Sequence, residues 1–299
     1  MGIVKTAAVA ALLTAATASA HAAPYAYGEI IFSGVTLMGL TATNVASANV
    51  ATSDNSIFPG YPNGGFSAGP TNPAAPLTQG SDAAQGFAGP GPFPAENTYT
   101  QSLLSNFGTR GDALLTGNLI SGNPPGGAND VAEGRLAAAS SAASSAGTST
   151  AFNVVVSAPA TSGGALGAVP LNSFSLRFSA TDSLFATTSL GGEFASAQVN
   201  ASFAVSGIAG TSTAGFTTLT YAPTTLNTSV SSTGGGANSA FNSGPTDYRF
   251  DFVLNPGTYQ FSLLSGAQER LTGVPEPVSL ALFGTGLAML GLVRLRNRA

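Results

Sequence analysis

Residues 247–266 read DYRFDFVLNPGTYQFSLLSG. In the first half Tyr248, Phe250, Phe252 and Leu254 fall on one face, and Asp247, Arg249 and Asp251 fall on the other. In the second half Tyr259, Phe261 and Leu263 share a face. Successive side chains of a strand point to opposite sides, so each half predicts a strand with one apolar face. Asn255-Pro256-Gly257 separates them as a turn.

The same period of two continues upstream. In SFSLRFSA (173–180), Phe174, Leu176 and Phe178 alternate with Ser175, Arg177 and Ser179. In AQVNASFAVSG (197–207), Ala197, Val199, Ala201, Phe203 and Val205 alternate with mostly polar neighbours. AFNVVVSA (151–158) is a β-branched run, and Glu29–Phe32 and Val35–Thr43 are further strand candidates. Sheets that are apolar on one face and wetted on the other are antiparallel. The reading is a mainly β chain whose body is an antiparallel β-sandwich or jelly-roll-like fold.

Other stretches read differently. Residues 59–94 carry eight prolines and many glycines, which remove or weaken strand pairing and predict a long irregular segment. Residues 99–120 are mildly apolar and undecided, and SGNPPGG (121–127) is a break. DVAEGRLAAASSAASS (130–145) predicts a short helix: Ala and Leu favour helix, and Asp130 and Glu133 suit its start.

Charged residues make up only 7% of the chain, Cys and Trp are absent, the single Lys is Lys5, and the single His is His21. The absence of Cys excludes disulfides, thiolate metal sites, Cys nucleophiles and a lipid-modified N-terminal Cys. From Ala23 to Val274 five Arg face twelve Asp or Glu, a net charge of −7. A chain without clustered cations is not expected to bind nucleic acid.

Gly65-Phe66-Ser67-Ala68-Gly69 matches the G-x-S-x-G of serine hydrolases. That motif needs a strand before it, a helix after it and a base for the serine. Past residue 22 there is no His or Lys to serve as one, so the match reads as chance in a Gly/Ser-rich chain. Asp247 with Asp251, or Glu29 with Asp54, are imaginable glycosidase acid pairs, but a solvated strand face accounts for such carboxylates more simply. No calcium loop of the D-x-[DN]-x-[DN]-G kind occurs. No cofactor is expected, with structural calcium from scattered Asp and Asn oxygens left open. Asn200-Ala201-Ser202 and Asn227-Thr228-Ser229 match the glycosylation triplet and read as chance in this composition.

Both termini carry targeting patterns. Residues 1–22 (MGIVKTAAVAALLTAATASAHA) have one early cation, a short apolar core and small-x-small sites ending at Ala20 and Ala22. This predicts a signal peptide cut after Ala22. At the other end VPEP (274–277) precedes an uncharged run, VSLALFGTGLAMLGLV (278–293), and the basic RLRNRA (294–299). As a helix the run spans roughly 24 Å at 1.5 Å per residue, slightly short of a hydrocarbon core of about 30 Å. Long arginine stems cover the shortfall. Arg294, Arg296 and Arg298 are expected on the cytoplasmic side as a stop-transfer lock. Gly284 and Ala288 form a small-xxx-small pair, unremarked in so Ala- and Gly-rich a segment. A plain anchor would explain the run and the arginines. It does not explain Pro275-Glu276-Pro277, whose prolines hold Glu276 extended where a membrane enzyme could grip it.

Pro-Glu-Pro, a short apolar helix and an Arg-rich end, in that order and with a signal peptide, resemble the PEP-CTERM sorting tail of Gram-negative, biofilm-forming bacteria. The resemblance covers the tail and the signal. YAYGEIIFSGVTL and NPGTYQFSLLSG are in addition similar to segments of exosortase-dependent surface proteins. The resemblance implies that Val274, Pro275, Glu276 and Pro277 are the recognition element and that the helix retains the protein in the inner membrane. It further implies that exosortase, an integral-membrane, transpeptidase-like cysteine enzyme, removes the tail, and that the exported 23–273 body reaches the cell surface or extracellular matrix. The family is associated with extracellular polysaccharide. The expectation is therefore a non-enzymatic exported protein. The alternatives are a carbohydrate-active enzyme using two carboxylates, or a carbohydrate- or metal-binding β-sandwich on a plain anchor.

Overall fold

The computed structural model describes residues 23–39, 45–68, 79–80, 86–90, 93, 100–103, 106–117, 119, 124–136, 140–157, 172–236 and 238–274. The strands among them are β1 (Tyr25–Met38), β2 (Val45–Ile57), β3 (Gly64–Ala68), β4 (Gln79–Gly80), β5 (Gly86–Ala88), β6 (Gly108–Thr116), β7 (Gly126–Arg135), β8 (Ser141–Val156), β9 (Asn172–Thr187), β10 (Phe194–Gly207), β11 (Leu219–Tyr221), β12 (Thr228–Thr233), β13 (Ser239–Asn242), β14 (Thr246–Leu254) and β15 (Gly257–Thr272). They form two antiparallel sheets. Sheet one runs β13-β9-β1-β7-β6-β4, with β14 also on β9 and β5 on β6. Sheet two runs β11-β10-β15-β8-β2-β3, with β12 also on β10. One apolar cluster draws side chains from both, so the sheets pack face to face as a β-sandwich.

The two strands of the 247–266 stretch are present, and they belong to different sheets. β14 pairs with β9, whereas β15 pairs with β8 and β10. The Asn255-Pro256-Gly257 turn thus carries the chain from one layer to the other. Each strand turns its apolar face inward, and the Phe252 and Phe261 rings meet edge-on at 5.8 Å. Phe174, Phe203 and Phe152 join them. Such ring pairs add about 0.5–1.5 kcal/mol beyond the area they bury.

The rest of the interior is built from small and polar residues. Gly28 of β1, Ala132 of β7 and Gly111 of β6 are register partners in one row across sheet one. A Cβ on Gly111 would strike the Ser145 carbonyl of β8, so the two backbones nearly touch there. The inner face of β8 accordingly carries Ala142, Ser144, Ala146 and Thr148, all buried. The Gly, Ala and Ser bias of the sequence is in this region a requirement of close sheet approach.

Two sequence expectations are corrected. Residues 130–145 are not a helix: β7 and β8 occupy most of them. Asp130, Ala132 and Gly134 face the interior while Val131 and Glu133 face the other way, and both faces are buried. With both faces covered the apolar/polar alternation disappears, and Ala-rich composition mimics helix propensity. The 59–94 segment is not wholly irregular, because β3, β4 and β5 lie within it and pair with β2 or β6. The undecided 99–120 stretch contains β6. The early strand candidates fall in one strand, β1, as far as Met38, with residues 40–43 of the second outside the described residues. β1 bulges between Phe32 and Val35 against β7 and between Ser33 and Thr36 against β9. Gly34 takes φ 65° at that bulge, a conformation that favours glycine.

Candidate functional site

The recognition residues Pro275, Glu276 and Pro277, the stop-transfer Arg294, Arg296 and Arg298, the 278–293 helix, and Ala20 and Ala22 lie outside the described residues. Val274 is described. It follows β15 directly and lies against the turn at Gly192. At the other end, β1 begins at Tyr25, which pairs with Arg135 and Thr187. Thr272, at the close of β15, pairs with Ser141 and Phe194. Short connections join Arg135 to Ser141 and Thr187 to Phe194, so the first and last strands enter and leave at the same end of the sandwich.

The candidate carboxylate pairs are not assembled as acid/base pairs. Glu29 lies on the outward side of sheet one, beside Val131 and Ser183 in register. Asp54 lies on the inner face of β2, opposite Ala146. A sheet separates the two. Asp247 and Asp251 are exposed on β14, and Asp251 pairs with Arg249 at 2.7 Å. That ion pair holds the Asp251 carboxyl below its ordinary range, mainly through the Arg249 hydrogen bond. Ser67 lies within β3, opposite Ser53 of β2, and not at a strand-to-helix elbow. The Asn227 side chain is occupied: its amide donates to the Ala201 and Pro223 carbonyls at 2.8 and 2.9 Å. No group of three or more Asp or Glu stands close enough to hold a metal ion among the described residues.

The sequence did not reveal a layer on the outward side of sheet one. Tyr25, Tyr27 and Val131 form a second apolar cluster there with Leu103, against Phe93 and Phe185. Beneath it Arg110 and Glu133 make a fully buried ion pair at 2.8 Å. Glu133 accepts from the Tyr25 hydroxyl (2.6 Å), the Ser102 N–H (2.7 Å) and the Leu103 N–H (2.9 Å) on one oxygen. Its other oxygen takes the Ser102 hydroxyl (2.8 Å) and Arg110 Nε. Arg110 also donates to the Thr100 carbonyl at 2.6 Å. Residues 100–103 are thus strapped onto the sheet by one saturated carboxylate. Burial and the Glu133 charge push the Tyr25 phenol well above its ordinary range, so it stays a donor.

Inside the sandwich the carboxylates are less well served. Asp130 accepts from Ser265 across the gap, and Ser265 in turn bonds Thr148 at 2.6 Å. Its second oxygen has no partner. Burial pushes the Asp130 carboxyl up to about 7, against the opposing Ser265 hydrogen bond and with help from Asp112. Glu269 lies over Gly134, where a Cβ would come within 2.7 Å of its oxygen. Ser144 stands beside it without reaching regular hydrogen-bond geometry, and burial pushes this carboxyl up to about 8.

Beside the strap, on the same outward side, lies a shallow groove of about 500 Å³ between β1, β9, β13 and residues 100–101. Glu29 and Tyr27 form part of its lining, with Gln101, Ser183, Phe185 and Asn242. Burial raises the Glu29 carboxyl, opposed by a Tyr27 hydrogen bond and the charge of Arg110.

No family model matches the chain, and no curated protein or solved structure was found to match it.

Proposed function

We propose that this chain is a non-enzymatic protein exported through the inner membrane and sorted by its tail to the cell surface or extracellular matrix of a Gram-negative bacterium. The carrying observation is the ordered tail itself: Val274-Pro275-Glu276-Pro277, the uncharged 278–293 run, and Arg294, Arg296 and Arg298. Exosortase is the proposed partner at the Pro-Glu-Pro, the membrane the transient partner of 278–293, and exopolysaccharide the surrounding polymer.

Two structural features support this reading. The body's first and last strands open at one end of the sandwich, so a signal segment and a tail helix can both reach the membrane without the chain crossing the body. The buried charges of the outward layer fasten a strap: Arg110 and Glu133 are closed to solvent and bonded to backbone.

The test replaces Pro275, Glu276 and Pro277 together by alanine in a host that carries exosortase. The parent should leave the inner membrane, and the variant should stay there with its tail attached. Equal release of both would overturn sorting through Pro-Glu-Pro and leave a plain anchor or a plain secreted protein.

A further inference from the structure

The groove beside the strap contains a carboxylate with an unanswered oxygen. Glu29 is only 8% exposed, and its Oε1 has no hydrogen-bond partner. Tyr27 bonds the carboxylate, and Arg110 acts on it through space, but burial outweighs both. A buried carboxylate with one oxygen unpaired is costly, and the group that best relieves it brings both a proton to donate and a positive charge. Arg110 acts on it only through space, being turned to Glu133 and the Thr100 carbonyl, and among the described residues Glu29 is the one charged residue lining the groove.

We propose that this groove binds a primary ammonium group, with Glu29 Oε1 as its acceptor and counter-charge. An ammonium has three protons to place. Ser183 and Gln101 line the same groove; the Ser183 hydroxyl, which already accepts from Asn242 at 3.3 Å, and a Gln side-chain carbonyl are further acceptors by type. Phe185 supplies a ring, half-buried against Tyr25 at 5.8 Å, and a desolvated cation near an aromatic face gains additional attraction. The net charge of −7 over residues 23–274 draws cations toward the body from a distance. A metal ion is a poorer fit, since a single carboxylate among neutral amides does not make a cation cage. The inference stands apart from tail sorting and does not depend on it.

The test titrates the exported protein with 1,4-diaminobutane, lysine amide and the uncharged 1,4-butanediol, read by protein-observed NMR at about pH 8, where the amines are charged. At least one amine should bind about tenfold or more tighter than the diol. The diamine and the lysine derivative separate a free polyamine from a protein side chain as the source. Glu29→Gln, which keeps the shape and removes the charge, should weaken the amine by a similar factor. Ala240→Trp, an exposed edge position that narrows the groove without touching Glu29, should do the same if Glu29→Gln fails to fold. Equal binding of the diol would overturn the proposal in favour of a neutral hydroxyl site. Amine binding unchanged in either variant would place the cation on the general acidic surface. No binding of any probe would mean that the groove takes no ammonium.

Discussion

Phe261 and Glu269 lie on the same inner face of β15 and are equally hidden, at 0% and 1% exposure. Phe261 is surrounded by rings, with Phe152, Phe174, Phe203 and Phe252 all within 6.0 Å. Glu269 is surrounded by Gly134, Ser144 and a nearly touching backbone. One half of the sandwich is held by aromatic volume; the other is held by proximity of the two sheets, and it carries carboxyls that burial makes harder to ionise. The first half gains stability from side chains. The second has almost no side chains to lose, and its buried acids oppose folding once they ionise.

The comparison breaks most visibly at its charged exception. Arg110→Met leaves Glu133 buried without its cation and should cost about 3–5 kcal/mol, read by urea unfolding, with the 100–103 strap released to proteolysis. Phe261→Ala should cost a similar 3–5 kcal/mol from the transfer and cavity terms, and the loss should be the same at every pH.

The polar half should instead respond to pH. Asp130 and Glu269 have folded-state values above their unfolded ones, about 7 and about 8. Below the unfolded value both states hold the proton, so nothing is lost. As pH rises from about 4 to 8 the unfolded chain releases protons that the folded chain keeps, and stability falls. Lifting one carboxyl that far corresponds to roughly 4 kcal/mol at the upper end. Glu269→Gln should therefore stabilise the protein at about pH 8, leave it nearly unchanged at about pH 4, and flatten the slope between them. A parent whose stability rises over this range would contradict the assignment of these carboxyls as buried without a compensating charge.

Smaller still is Gly134→Ala, whose new methyl meets the Glu269 carboxyl at 2.7–2.9 Å. It should cost about 1–3 kcal/mol, and less when Glu269 is first shortened to alanine, a coupling that a double-mutant cycle reads. Arg249→Ala, which removes the exposed pair with Asp251, should leave the melting temperature unchanged.

The aromatic half was legible in the sequence, because Phe174, Leu176, Phe178 and Phe250, Phe252, Leu254 advertise period two against polar neighbours. The layer crossing at Asn255-Pro256-Gly257 was not, since a turn between two strands reads alike whether they pair or part. The small-residue half was misread. Ala132, Gly134, Ala142 and Ala146 carry no hydrophobic contrast, and Asp130 and Glu133 look like surface residues until the sheets close over them. The strap was invisible for a related reason: apart from the Ser102 hydroxyl, Ser102 and Leu103 matter through backbone N–H groups, which any residue but proline supplies. Of the candidate site, the tail was read from its motif alone, and the Glu29 groove emerged only when β1, β9 and β13 were placed side by side.

The central functional claim is that the body is exported and separated from its tail. Intact mass of the protein recovered from the surface of an exosortase-positive host tests it most directly. The account predicts a chain that begins at Ala23 and lacks the residues beyond the Val274 region. A mass that retains Arg294, Arg296 and Arg298 would contradict it.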